Sequence, residues 1–142
     1  MYLNTLDVKL TPRTDNGSYN VEINNYTLEI LTLVLEFRLA SNSHIARLLS
    51  QKERSRYIYT KLRRMWQAGL LESFKVFSDN SFTLFYMLSK RGLKLLTEKG
   101  QYESRHLKKY PTAKTLLSWG LFKHESQIVE LASLESLNKS AN

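Results

Sequence analysis

The sequence predicts a mainly helical α+β chain, with three helices, a β-hairpin and then further C-terminal helices. Three observations predict it. Apolar residues recur at helical spacing through residues 26–69. The period then switches to two across residues 71–88, split by a polar turn at Ser78-Asp-Asn-Ser81. Helical spacing returns after Ser89 and again from Lys123 onward. With 142 residues, 42% of them hydrophobic, the chain is the size of one domain and can bury a core.

Residues 1–25 hold a short apolar alternation (Tyr2 to Leu10), then Pro12 and an Asp-Asn-Gly turn signal that break any helix. They predict an extended arm or short hairpin, which either joins the later sheet as a strand or leads flexibly into the domain. Residues 26–100 form the expected domain. Its first helix, capped by Asn25 and running to Leu39, is apolar around most of its circumference and is expected at the centre. Ser43 is expected to cap a short second helix, His44 to Leu49, with Ile45, Leu48 and Leu49 on one face. Ser50 to Glu53 is a polar turn.

The third helix, Arg54 to Gly69, sets the character of the chain. At 100° per residue, Ile58, Leu62 and Met65 make a narrow apolar seam that Gly69 continues. Arg56, Thr60, Arg63 and Gln67 line the opposite face, flanked by Tyr57, Lys61 and Arg64 on one side and by Tyr59 and Trp66 on the other. Such side chains reach phosphates and base edges in a major groove. A solvated basic face on an ordinary surface helix is the alternative reading of this pattern. Gly69 stops the helix. Leu71 to Phe77 and Phe82 to Leu88 then pair as a hairpin, and Ser89 caps a fourth helix that ends at Gly100. Residues 101–142 read as a polar, basic linker followed by an amphipathic helix carrying Ile128, Leu131, Leu134 and Leu137, frayed beyond Asn138. That helix is expected either to dimerise or to pack back on the first helix. Two short-linked helices, the second basic, followed by a hairpin, make the order of a winged helix-turn-helix domain.

Net charge is +8, and it is segregated. Residues 1–37 carry −3, whereas residues 38–75 hold nine basic and two acidic residues. This favours a polyanionic partner, double-stranded DNA first, over a solvated face. An acidic membrane surface fits poorly, because the basic helix lacks a bulky apolar face. No apolar run is long enough for a membrane span and no secretory leader opens the chain, so a cytoplasmic location is expected. With no cysteine, disulfides and cysteine-based zinc sites are excluded.

Three runs carry a family likeness: Ser43 to Leu49, Thr60 to Leu71, and Phe85 to Leu96. They resemble winged-helix DNA-binding proteins of the MarR and PadR type. They are similar in particular to the replication-relaxation family of plasmid and mobile-element proteins. That family shares an Arg-Leu…Gly-Leu helix end, a Tyr-Leu-Ser/Thr-x-x-Gly return strand and a histidine leading a downstream amphipathic helix, matched here by Phe122-Lys-His-Glu-Ser-Gln-Ile-Val129. The resemblance spans roughly residues 28–130. It implies duplex DNA binding in plasmid replication, mobilisation or transcription control, with a replication or relaxosome protein as a further partner.

Base readout is assigned to Arg56, Thr60, Arg63 and Gln67, since arginine forks match guanine and hydroxyls are permissive. Phosphate contacts are assigned to Ser43, Arg47, Lys52, Arg54, Tyr57, Tyr59, Lys61, Arg64 and Lys75, extended by Lys90, Arg91 and Lys94 if the fourth helix nears the duplex. His44, His106 and His124 lack ligand spacing, and no glycine-rich phosphate loop occurs. A non-enzymatic protein without cofactor or metal is therefore expected, binding DNA as a homodimer. The alternative is a winged-helix module that binds an acidic protein partner.

Overall fold

One antiparallel sheet is covered on both faces by helices. The computed structural model describes residues 7–12, 21–49, 56–78, 81–99, 110–116 and 119–141. In chain order the elements are β1 (Asp7–Thr11), α1 (Asn25–Phe37), β2 (Ala40–Ser41), α2 (Asn42–Leu48), α3 (Arg56–Gln67), β3 (Leu71–Ser78), β4 (Ser81–Leu88), α4 (Lys90–Glu98), α5 (Ala113–Leu116) and α6 (Trp119–Ala141). The fold class is thus mixed α+β and mainly helical. The sheet order is β1-β3-β4-β2, with every pair antiparallel.

The caps of α1 and α2 fall one or two residues earlier than sequence spacing placed them, whereas Ser89 caps α4 as expected. Asn24, not Asn25, caps α1. Its side chain accepts the Thr27 N–H at 2.9 Å, and Thr27 Oγ1 accepts the Asn24 N–H in return. Ser41, not Ser43, caps α2 by the same reciprocal device with His44, whose Nδ1 accepts the Ser41 N–H at 3.1 Å. Ala40 and Ser41 also form β2, set against Tyr86 and Phe85 of β4. Two residues are too short to show a period, so that strand has no sequence signature. Between α1 and β2, Arg38 takes φ 68, a left-handed conformation that disfavours side chains. Two contacts hold it there: its carbonyl accepts the Tyr110 hydroxyl at 2.8 Å, and its guanidinium donates to Glu125 at 2.8 Å.

The end of α3 is clamped to the start of α4. Gly69 takes φ +86, and Leu70 N–H reaches back to Met65 O at 2.9 Å, closing the helix as a left-handed C-terminal cap does. Ser89 Oγ accepts the Gly92 N–H and donates to Gly69 O, while Arg91 donates to Ala68 O at 2.9 Å. A Cβ at Gly92 would lie 2.3 Å from Leu70 O, so only glycine permits this approach. The Gly-Leu helix end and the Ser-x-x-Gly return are therefore two halves of one joint, which fixes α3 relative to the hairpin.

The sheet has two apolar faces. Leu71, Tyr86 and Leu88 pack with Ile30, Leu31, Val34, Ile45, Ile58, Leu62 and Met65 from α1, α2 and α3. Phe74, Val76 and Met87 face the other way, against Leu39, Leu116 and Phe122. Phe122 meets Phe74 and Phe85 edge-on at 6.1 and 5.4 Å. The expectation of fraying from Asn138 is not met, since α6 runs to Ala141. It also starts at Trp119 and docks through buried Phe122, Glu125, Val129 and Ser133 on α2 and the second sheet face, rather than chiefly on α1. No described helix is long and apolar enough to cross a membrane.

Candidate nucleic-acid interface

The apolar seam of α3 docks as its spacing requires, with Ile58, Leu62 and Met65 fully buried. The buried arc is wider than that seam, because Lys61 and Trp66 are buried too. What remains outward is an arc centred on Arg56, Thr60, Arg63 and Gln67. Arg56 and Arg63 are exposed, and Thr60 and Gln67 are half-buried. Tyr57, Tyr59 and Arg64 are exposed at its margins. Among the described residues, none of Arg56, Arg63 and Arg64 has an ion-pair partner. Tyr57 leans on Tyr26 with ring centroids 5.4 Å apart, and Arg63 lies over the Trp66 ring at 6.0 Å. Both contacts restrict side chains that would otherwise be mobile.

Lys61, expected at phosphate, is instead turned inward. Its Nζ donates to Glu22 O at 3.3 Å, and burial lowers its pKa, with Glu22 opposing and Arg64 reinforcing that shift. Tyr86 lies under the same helix. Burial pushes its hydroxyl up to about 12, with nearby Tyr59 raising it further and Arg63 lowering it. The sheet therefore approaches the outward arc at Tyr59 and Arg63.

Beyond Tyr86, period-two alternation carries the α3 side of the sheet out along the hairpin. Lys75 pairs with Leu84, which packs on the α1–α3 core, so Lys75 lies on that side. Lys9 of β1 sits directly opposite Lys75, and Phe77 directly opposite Phe82. Lys9 Nζ lies 5.7 Å from the Phe77 ring centre and Lys75 Nζ 4.9 Å from that of Phe82. Lys9 and Lys75 thus place two amines side by side on this face of the sheet. The sequence singled out Lys75. Lys9 was missed because its arm could be placed in the sheet only by pairing, which has no local signal.

Arg47, also expected at phosphate, points to α6. Its Nη1 donates to Glu130 at 2.7 Å and to Ser133 Oγ at 3.2 Å. His44, buried, meets the same carboxylate through Nε2 at 3.0 Å. Because Nδ1 accepts a backbone N–H, the neutral ring carries its proton on Nε2 and donates it to Glu130. Burial tends to raise the Glu130 pKa, but the Arg47 and His44 hydrogen bonds outweigh it and hold the carboxyl below the ordinary range. Ser43 lies half-buried in the first turn of α2. Arg91 serves the α3–α4 joint, with Lys90 and Lys94 exposed beside it. His124 is exposed on α6, whereas its neighbour Glu125 is buried against Arg38. Lys52, Arg54, His106 and the hairpin tip at 79–80 lie outside the described residues.

Searches of curated proteins and of solved structures found no match. The family model described as "Replication-relaxation" matches residues 31–133, from within α1 to the second half of α6. The match covers well over half of the sequence, including α3, the hairpin, the Gly69–Gly92 joint and the acidic residues of α6 that hold Arg38 and Arg47, and the chain belongs to the replication-relaxation family.

Proposed function

We propose that this chain is a non-enzymatic, sequence-specific duplex DNA-binding protein with a winged helix-turn-helix architecture. In this reading α2 and α3 form the helix-turn-helix and the β3–β4 hairpin, widened by β1, is the wing. It acts in replication, relaxation or mobilisation of a plasmid or similar element, a process suggested by the family. One observation carries the reading: the outward arc of α3 presents Arg56, Arg63 and Arg64 with exposed Tyr57 and Tyr59 at its margins, and the α3-facing side of the sheet adds Lys75 and Lys9. In the proposed complex α3 enters the major groove, with Arg56, Thr60, Arg63 and Gln67 toward base edges. Arg64, Tyr57 and Tyr59 meet the flanking phosphates, and Lys9 and Lys75 meet the backbone beside the groove.

The test is a salt titration of duplex binding by fluorescence anisotropy. Affinity should fall by about 0.9 decades per decade of salt for each phosphate neutralised. Absence of duplex binding at low salt, or binding indifferent to salt, overturns the reading and favours an acidic protein partner.

A further inference from the structure

The inward face of α6 is accounted for by Phe122, Glu125, Val129, Glu130 and Ser133. Among the described residues, its outward face is left uncovered. Ile128, Leu131, Leu134 and Leu137 are 41%, 69%, 40% and 41% exposed. They follow one another at three-residue intervals on a 23-residue helix about 35 Å long at 1.5 Å per residue, each step turning by about 60°, so they wind as a ridge across the outward half of the helix with Leu131 and Leu134 at its centre. Isolated exposed leucines are ordinary, but four in one contiguous stripe are not.

Beside the stripe lies a cleft of about 510 Å³, lined by His44, Phe85, Ser126, Gln127, Glu130 and Leu131. Leu131 stands on its rim and is also the most exposed member of the stripe. Projecting aliphatic side chains and an adjoining cleft floored by Phe85 therefore share one surface patch. A patch that carries both knob and hole is self-complementary, which is what a two-fold interface between identical chains requires.

Charge points to the same occupant. Two copies of a +8 chain repel most strongly across residues 38–75, where the positive charge is gathered. Residues 111–142 balance to zero, with Lys114, Lys123 and Lys139 against Glu125, Glu130 and Glu135. Two of those acids are turned inward onto Arg38 and Arg47. The stripe is thus a place where two copies can meet with little electrostatic penalty. A dimer interface needs a mainly apolar centre within roughly 800 Å² per partner, and the stripe with its cleft supplies that centre.

We propose that α6 is the homodimerisation element, with the Ile128–Leu137 stripes of two chains crossing near Leu131 and each seating an aliphatic side chain in the other's cleft. The centre of the interface, Leu131 and Leu134, lies on the helix face opposite buried Phe122, Val129 and Ser133, so pairing leaves the α2–α6 contact in place. The inference does not depend on DNA binding, since association is measured without DNA.

Sedimentation velocity of the full chain over a range from about 1 to 200 µM tests it. The wild type should sediment as a dimer within that range. Leu131→Asp with Leu134→Asp should be monomeric, its dissociation constant raised tenfold or more, with an unchanged far-ultraviolet circular dichroism spectrum because both positions face solvent. A wild-type monomer throughout, or a dimer that the double substitution leaves intact, overturns the proposal. Should the double variant misfold, Leu131→Cys decides, because the chain has no other cysteine. Mild oxidation should convert most of it to a disulfide-linked dimer, while Glu98→Cys on exposed α4 should not cross-link. Equal cross-linking of both variants, or none of either, overturns the proposal.

Discussion

Arg47 on α2 and Arg63 on α3 carry the same charge on neighbouring helices in opposite surroundings. Arg47 is nearly covered, its guanidinium shared between Glu130 and Ser133. Arg63 is exposed, stacked over Trp66, and faces no acid among the described residues. Arg38 repeats the first situation with Glu125. Two of the nine basic residues between 38 and 75 therefore hold α6 in place, and among the described residues the charge left for an anion is concentrated on α3 and the hairpin. A basic segment is an electrostatic footprint only after the charges matched inside the fold are subtracted.

The sharpest way to break this contrast is to truncate both arginines. Arg63→Ala should cost roughly 1–3 kcal/mol on the preferred duplex and flatten preference at one base pair, with thermal stability unchanged. Arg47→Ala should do the reverse. It leaves Glu130 with one fewer donor and should cost about 1–2 kcal/mol of stability, discounted because that carboxylate is half exposed to water. Differential scanning calorimetry beside anisotropy separates the two. A large binding loss for Arg47→Ala at unchanged stability would erase the distinction.

The Glu130 contact adds a pH dependence to that comparison. Its folded pKa is depressed, so its contribution is present above the ordinary carboxylate value of 4.5 and is lost as pH falls through the lower folded value. Wild type should therefore exceed Glu130→Gln in urea stability at pH 7, with the gap closing as pH drops below 4.5. A gap that persists at low pH would mean the carboxylate does not hold Arg47 and His44 as charged acceptor.

Smaller effects sharpen the hairpin side. Lys75→Ala and Lys9→Ala should each weaken specific and random duplexes alike and lower the salt slope by about 1. Smallest of all is Lys61→Met. With its amine already turned to Glu22 O, the change should alter duplex affinity by less than about 0.5 kcal/mol. A loss as large as that of Arg63→Ala would return Lys61 to the outward face.

Elements with a sustained period were legible from composition and spacing: α3, the hairpin and α4 lie where the periodicity placed them. The Gly69 and Gly92 punctuation was legible too, because left-handed caps and close backbone approach demand a particular residue. What was not legible depended on contacts distant in sequence. The pairing of β1 with β3 leaves no mark on either segment. Nor does the second apolar face of the sheet, since Phe74 and Val76 alternate as any half-buried strand would, and Leu39, Leu116 and Phe122, all distant in sequence, show that the opposite side is covered as well. Arg47 and Lys61 look like phosphate ligands until Glu130 and the Glu22 carbonyl are placed beside them. Helical spacing on α6 showed an apolar stripe but not which face docks. The face that docks sets Glu125 and Ser133 beside Phe122 and Val129, and so is the less apolar one.

The account rests on α3 and the hairpin, rather than α2 and α6, being the DNA face. Amide chemical-shift mapping of the ¹⁵N-labelled chain during titration with duplex DNA at low salt tests this most directly. The account predicts shifts concentrated at Arg56, Thr60, Arg63, Arg64 and Gln67, with a second group at Lys9 and Lys75, while Arg47, Glu130 and Ser133 stay in place. Shifts centred on α2 and α6 with α3 silent, or none on addition of any duplex, would contradict it.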